Sequence, residues 1–518
     1  MSAAKADVFE KSISEIRDML EDGTLTSEIL VQTYIERIEK YDRAGEKLNS
    51  IISINKNALA QAKQLDSERK AGKVRGALHG IPIVVKDNID VSGFPTTMGK
   101  TSLVSQVKEN DSAAVKMLCD EGAIILGKTN MSTGDENARY TYSAVLGETR
   151  NAYNNEYASG GTSGGSAVSV SANFAAAALA TDTNGSATYP AALNSVVAFR
   201  PTHDLIDYTG AENTVKARDV ISPMAKSVSD VALLMDVLTG KKEEGTYTKN
   251  LSNATLEGKT FAVLKELSQY TYNSPNEFKQ SDKEVLALFE NAKKIIEEKG
   301  GKVVEISIPK LFTYFNNCRE NKAGSQNAKA ALKAEIKNLL SQNGADAIIF
   351  PSYLSSPLKS GFDKFGSHNS TGAVYLNCGA YLPSLVGYPA ISVPMGSLQS
   401  SVGAGLEIVM ENSKDAELLS LAYAFESAAN LREAPKNLPN LYEVVERPSV
   451  PEQNEEQIGN VQTEEDDEIS QEMKGLSEDV QRILVAAIIA VVLALCVWAL
   501  VFGHIKSKGK KIPKNRRF

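Results

Sequence analysis

The chain has 518 residues, 42% hydrophobic and 23% charged, with a net charge of −8, which excludes collagen-like, wholly disordered and disulfide-scaffold classes. Its four cysteines show no paired spacing and its four histidines are too few for a multi-histidine metal centre, so no metal is expected. The acidic balance gives no reason to expect nucleic acid as a partner.

In chain order, the N-terminus lacks the apolar stretch of a signal peptide. Phe9, Ile13, Ile16 and Leu20 share one helical face and predict an amphipathic helix. Short apolar runs at Ile81–Val85, Ala123–Leu126 and Ala347–Phe350 predict buried strands, and the periodic segments Met224–Leu238 and Asp415–Ala429 predict helices. The alternation predicts one large α/β domain over residues 1–447, with a mixed, mostly buried central sheet covered by helices on both faces.

Beyond it the charge separates. Residues 448–482 carry a net −9, 483–503 no charge and 504–518 a net +7, leaving −6 on 1–447. The acidic stretch is too polar to fold alone and predicts a disordered linker. Residues 483–503, ILVAAIIAVVLALCVWALVFG, would span about 31 Å as a helix and predict a transmembrane segment. The expected localisation is therefore a membrane, through a single C-terminal span, with residues 1–447 on the cytoplasmic side and the basic tail 504–518 beyond the span.

Two motif matches fail on context. Gly122–Thr129, GAIILGKT, fits the phosphate-loop pattern, but its middle residues read as a strand whose amides would be spent on the sheet. Gly161–Gly165, GTSGG, fits a nucleophile elbow around Ser163, yet no strand precedes it and His203 and His368 sit in no supporting motif.

The chemistry gathers elsewhere. ASGGTSGGSA (158–167) and ATDTNGSATYPAA (180–192) are rich in Gly and Ser. Such turns can present a Ser hydroxyl while neighbouring amides converge on one point, the construction of an oxyanion hole; ordinary flexible loops are the alternative. Upstream, Lys86 closes the apolar run of LHGIPIVVKDNID (78–90). Burial disfavours the charged form of an amine, and a neutral lysine is a competent general base. The alternative is a lysine that reaches past the strand end to water.

These segments, with TTMGKTS (96–102), DEGAIILGKTNMS (120–132), GETRNAYN (147–154), SPMAKSVSDVALLMDVLTG (222–240) and GYPAISVPMG (387–396), resemble the amidase signature family in order and spacing over nearly all of residues 1–440. The resemblance implies a Ser–Ser–Lys amidase. The catalytic lysine falls on Lys86, the nucleophile on Ser186, and the bridging hydroxyl, which the family holds in a cis peptide, on Thr162. The backbone amides of Thr183, Asn184, Gly185 and Ser186 would form the oxyanion hole, with Ser163 and Asp182 in support. The implied reaction is hydrolysis of a small or amphiphilic amide through an acyl-enzyme, releasing ammonia or an amine, with no cofactor.

The site departs from the family pattern G-G-S-S-G-G and D-T-G-G-S-I-R. Thr162 replaces the bridging Ser, Asn184 replaces a Gly, and Ala187-Thr188 replace Ile-Arg. A β-branched Thr is stiff at χ1, and Asn is the next-best residue after Gly if its position needs a positive φ. Three readings stay open: an active membrane-anchored amidase, a catalytically impaired binding or scaffold protein on the same fold, and the glutaminase-type subunit of a tRNA-dependent amidotransferase. The oligomeric state is left open.

Overall fold

The computed structural model describes residues 7–135, 139–212, 214–241, 245–274, 277–280, 282–318, 322–361 and 378–441. Eleven strands form one sheet: β1 (Ile51–Ile54), β2 (Pro82–Lys86), β3 (Ile124–Thr129), β4 (Ala177–Asp182), β5 (Val197–Arg200), β6 (Val220–Ala225), β7 (Thr260–Leu264), β8 (Lys302–Ile306), β9 (Ala347–Pro351), β10 (Ala390–Ser397) and β11 (Gly403–Val409). Their spatial order is β1-β3-β2-β4-β6-β5-β10-β11-β9-β7-β8. The pairs β3–β2, β2–β4, β9–β7 and β7–β8 are parallel and the others antiparallel, so the sheet is mixed. Every residue of β2, β3, β4, β6, β9 and β11 is buried. Since successive side chains point to opposite faces, both faces are covered there. The Gly164–Ser171 helix packs on β2, β3, β4 and β6, and the Val228–Leu238 helix on β5 and β6.

The first helix is Ile13–Glu21. Ser12 and Glu15 close a capping box at its start, and Ile13, Ile16 and Leu20 are buried. Phe9 precedes it, where the Arg37 guanidinium lies 5.0 Å from its ring. The three expected strands are β2, β3 and β9, and Asp415–Ala429 is a helix. The Met224–Leu238 segment divides: Met224 and Ala225 close β6, and the helix starts at Val228, behind a Ser227 cap that accepts from the Asp230 amide. A short apolar run cannot separate strand from helix by periodicity alone. Gly127, Lys128 and Thr129 are strand residues, as the phosphate-loop match requires them not to be, and Lys128 Nζ lies 3.4 Å from Asp87 Oδ1 inside the protein. Ser163 has no strand leading into it.

The expectation of a membrane-spanning helix is corrected. Among the described residues no helix is long and apolar enough to cross a membrane. The 483–503 segment, like the 448–482 linker and the 504–518 tail, lies outside the described residues. The fold class is a single α/β domain built on a large mixed sheet, and neither the membrane localisation nor the membrane as a partner is retained.

Candidate active site

Lys86 ends β2 and Asp182 ends β4. These strands are parallel neighbours, with Val85 opposite Leu179, so both chains leave the sheet at the same edge. Ligand crevices of α/β sheets form at such carboxyl ends. Lys86 is fully buried, and its Nζ donates to Thr162 Oγ1 at 2.6 Å and to Thr181 Oγ1 at 2.8 Å. Asn88 Nδ2 also donates to Thr181 Oγ1, at 3.1 Å, which pins that hydroxyl between β2 and β4.

Thr162 arrives on the first Gly-rich loop, where the Gly161–Thr162 peptide is cis. The loop lies against the sheet edge because its glycines permit it. At Gly165 a Cβ would stand 2.4 Å from the Asn130 carbonyl oxygen and 2.5 Å from its amide nitrogen. The Thr162 carbonyl accepts from the Ser132 amide at 3.3 Å and the Thr141 hydroxyl at 3.4 Å. Ser163 joins the two Gly-rich loops: its amide donates to the Ser186 carbonyl at 3.0 Å and its hydroxyl to the Thr181 carbonyl at 3.1 Å.

The second loop is a tight turn between β4 and the Thr188–Leu193 helix, and Ser186 lies at its end, 5% exposed. Gly185 takes the positive φ, +90°. Asn184 keeps an ordinary backbone, so its presence in place of a Gly is not explained by a left-handed position. Asp182 holds the turn from inside. Its carboxylate accepts from the Gly185 amide at 2.9 Å and the Ala187 amide at 2.9 Å. Of the four amides that the family resemblance points to, Gly185's is thus engaged with the turn's own carboxylate. Arg200, at the end of β5, donates to Asp182 Oδ1 at 3.0 Å and to the Asp182 carbonyl at 2.8 Å, both side chains being buried. Thr183 Oγ1 donates to Asp219 Oδ1 at 2.7 Å. Asn184 Oδ1 accepts from Arg218 Nη1 and, at 3.2 Å, from Ser384 Oγ. Beneath the turn, Glu407 on β11 is fully buried and accepts from Ser352 Oγ at 2.7 Å; burial pushes its carboxyl up to about 8.

The structure therefore brings Lys86 to Thr162 and ties the Thr162 loop to the Ser186 turn through Ser163. Sequence reasoning missed Thr181, Asn88, Arg200, Arg218, Asp219 and Ser384. Arg200 carried a usable signal: like Lys86, it is the lone cation closing an apolar run. Of the two histidines weighed against the elbow match, His203 has its ring Nε2 3.1 Å from the Lys216 carbonyl, and His368 lies outside the described residues. Among the described residues no group of three or more His, Cys, Asp or Glu could hold a metal ion.

Comparison with known proteins bears on the same region. The Amidase family profile matches residues 29–317. The chain is similar to the A subunit of glutamyl-tRNA(Gln) amidotransferase from Trichodesmium erythraeum, 30% identical over 81% of this chain and 98% of that protein. It is also similar to the protein of the same name from Fusobacterium nucleatum, 34% identical over 58% of this chain and 61% of that one. Among solved structures, the peptide amidase of Stenotrophomonas maltophilia superposes with a TM-score of 0.70 at 25% identity, covering 83% of this chain and 99% of that one. The A subunit of glutamyl-tRNA(Gln) amidotransferase from Thermotoga maritima does so at 0.69 and 25%, covering 83% and 98%.

Proposed function

The chain belongs to the Amidase family, and from that membership we propose that it hydrolyses a carbon–nitrogen bond of a small amide through an acyl-enzyme on Ser186. The observation that carries this reading is the fully buried Lys86 Nζ at 2.6 Å from Thr162 Oγ1. A neutral amine has one lone pair and two N–H bonds. It can accept the Thr162 proton while still donating to Thr181.

In the first half of the reaction Ser186 Oγ attacks the amide carbonyl, and its proton passes to Thr162 as Thr162 gives its own to Lys86. The amides of Thr183, Asn184 and Ser186 face the oxyanion, while Gly185's amide holds the turn to Asp182. Reversal of the relay protonates the leaving nitrogen, the C–N bond breaks, and ammonia or an amine departs. Water, deprotonated by the same relay, then cleaves the acyl ester and restores Ser186.

The test is intact-mass spectrometry of the full chain after a fluorophosphonate probe, beside Ser186→Ala. We expect one adduct on the wild type and none on the variant. A folded wild type that stays unlabelled overturns the reading and favours a binding protein on this fold.

The named relatives favour a second, narrower reading: the amide is that of glutamine, and the ammonia is handed to a tRNA-binding partner protein. Glutamine-dependent ammonia release that rises when such a partner is added would support it. Hydrolysis of other amides with glutamine inert would exclude it.

A further inference from the structure

The turn that carries Ser186 is held from outside as well as from inside, and the outer hold is built from a residue that departs from the family pattern. Asp182 and the two turn residues that follow it are each held by a side chain from another segment. Arg200 Nη1 takes Asp182, and the same guanidinium, through Nη2, donates to the Arg218 carbonyl at 2.6 Å. Thr183 donates to Asp219. Asn184 Oδ1 receives Arg218 Nη1.

The 214–219 segment that supplies Arg218 and Asp219 is itself tied. Asp219 Oδ2 accepts from the Thr214 and Val215 amides at 2.7 and 2.8 Å, and the Arg218 amide donates to the Val215 carbonyl at 2.8 Å. Arg218 is 5% exposed, and its guanidinium lies 5.4 Å from the Tyr381 ring centroid. Ser384, in the same Cys378–Val386 helix as Tyr381, shares its one hydroxyl proton between the Tyr381 carbonyl at 2.9 Å and the same Asn184 oxygen at 3.2 Å. Asn184 has no left-handed backbone to justify it; its side chain is what the surroundings use.

We infer that Arg218 is a positioning residue for the oxyanion turn and acts through the side-chain carbonyl of Asn184, clasping the amides of residues 183–186 between the 214–219 segment and the Cys378–Val386 helix. The inference rests on the amidase reading for its catalytic consequence, though not for the clasp itself. A charge-assisted hydrogen bond to an amide oxygen restrains a turn more strongly than a neutral one. A turn displaced by about 1 Å from its productive geometry costs catalysis on the order of 10²-fold.

The experiment is a double-substitution cycle in the full chain, Arg218→Ala, Asn184→Ala and both, with two readouts. The first is hydrolysis of the amide the enzyme is found to accept, together with the fluorophosphonate labelling rate at Ser186. The second is hydrogen–deuterium exchange of the peptide containing residues 182–188, whose Gly185 and Ala187 amides are bonded to Asp182.

Each single variant should lower kcat and the labelling rate by tenfold to about 10²-fold with KM little changed, and should speed exchange of the turn. The double variant should lose less than the sum of the singles, because the Arg218–Asn184 contact can be removed only once, while Asn184→Ala also releases Ser384. Asn184→Ala leaves Arg218 in place, so its own kcat, labelling rate and exchange still test the clasp if Arg218→Ala folds poorly. Additive losses, a rise in KM with kcat unchanged, or unaltered exchange in Asn184→Ala would overturn the inference. A wild type that neither hydrolyses nor labels, but whose exchange responds as stated, would sink the amidase reading and leave the clasp standing.

Discussion

Thr162 is where the proposed chemistry turns on one atom. It presents to Lys86 the hydroxyl that the family pattern supplies from Ser, with a methyl added on a β carbon that restricts χ1. Thr162→Ser should therefore remain active, whereas Thr162→Val keeps the shape, removes the hydroxyl and should lower kcat/KM by about 10²–10⁴-fold. Lys86→Met should fall in the same range. Steady-state rates on one amide, with the probe-labelling rate beside them, check all three. A Thr162→Val enzyme as fast as wild type would mean that the relay bypasses Thr162.

At the scale of elements, the turn depends on charges buried at strand ends. Arg200 on β5 and Asp182 on β4 form an ion pair with side chains 1% and 0% exposed. Removing one partner leaves the other charge buried, so Arg200→Met should cost about 3–5 kcal/mol, read from denaturant midpoints. Glu407 on β11 acts with the opposite sign. Burial raises its carboxyl to about 8, so the native state keeps a proton that the unfolded chain releases near the ordinary glutamate value. Stability from this group is complete below that value. It is lost as pH climbs towards 8, with a slope of at most about 1.4 kcal/mol per pH unit. Glu407→Gln cannot ionise. Its Tm relative to wild type should rise steadily from pH 5 to pH 8; a constant difference would refute the assignment.

At the scale of the molecule, the two ends of the described chain meet at one arginine. Arg37 donates to the carbonyls of Ala172, Leu438 and Pro439 at 3.0, 3.1 and 2.9 Å. Nearby, Arg432 pairs with Glu10. A chain cut after residue 430 loses both links and leaves the Arg37 guanidinium without two of its acceptors. Hydrogen bonds to charged groups contribute about 1.5–3 kcal/mol each, so this truncation should lower Tm markedly. A chain ending at residue 447 keeps both links, and we expect it to melt with the full-length protein. Calorimetry of the two truncations separates these outcomes, and equal melting of both would refute the tie.

The amino-acid sequence by itself determined what is local in this protein. Runs of apolar residues closed by one cation marked β2 and its Lys86. Glycine and serine density marked the two loops, and the ordered set of motifs marked the family. Those features are encoded in neighbours along the chain, where periodicity and turn chemistry act. Sequence also placed a helix start at Met224 that belongs to Val228, because an apolar run reads alike as strand or helix until its partners are known. Only the tertiary structure decided who holds whom. Lys86 meets Thr181 across 95 positions of sequence, Asn184 meets Arg218 across 34 and Ser384 across 200. Sheet order and loop docking select those partners. A buried polar group takes whichever donor the packing brings within about 3 Å, and no spacing along the chain records that choice.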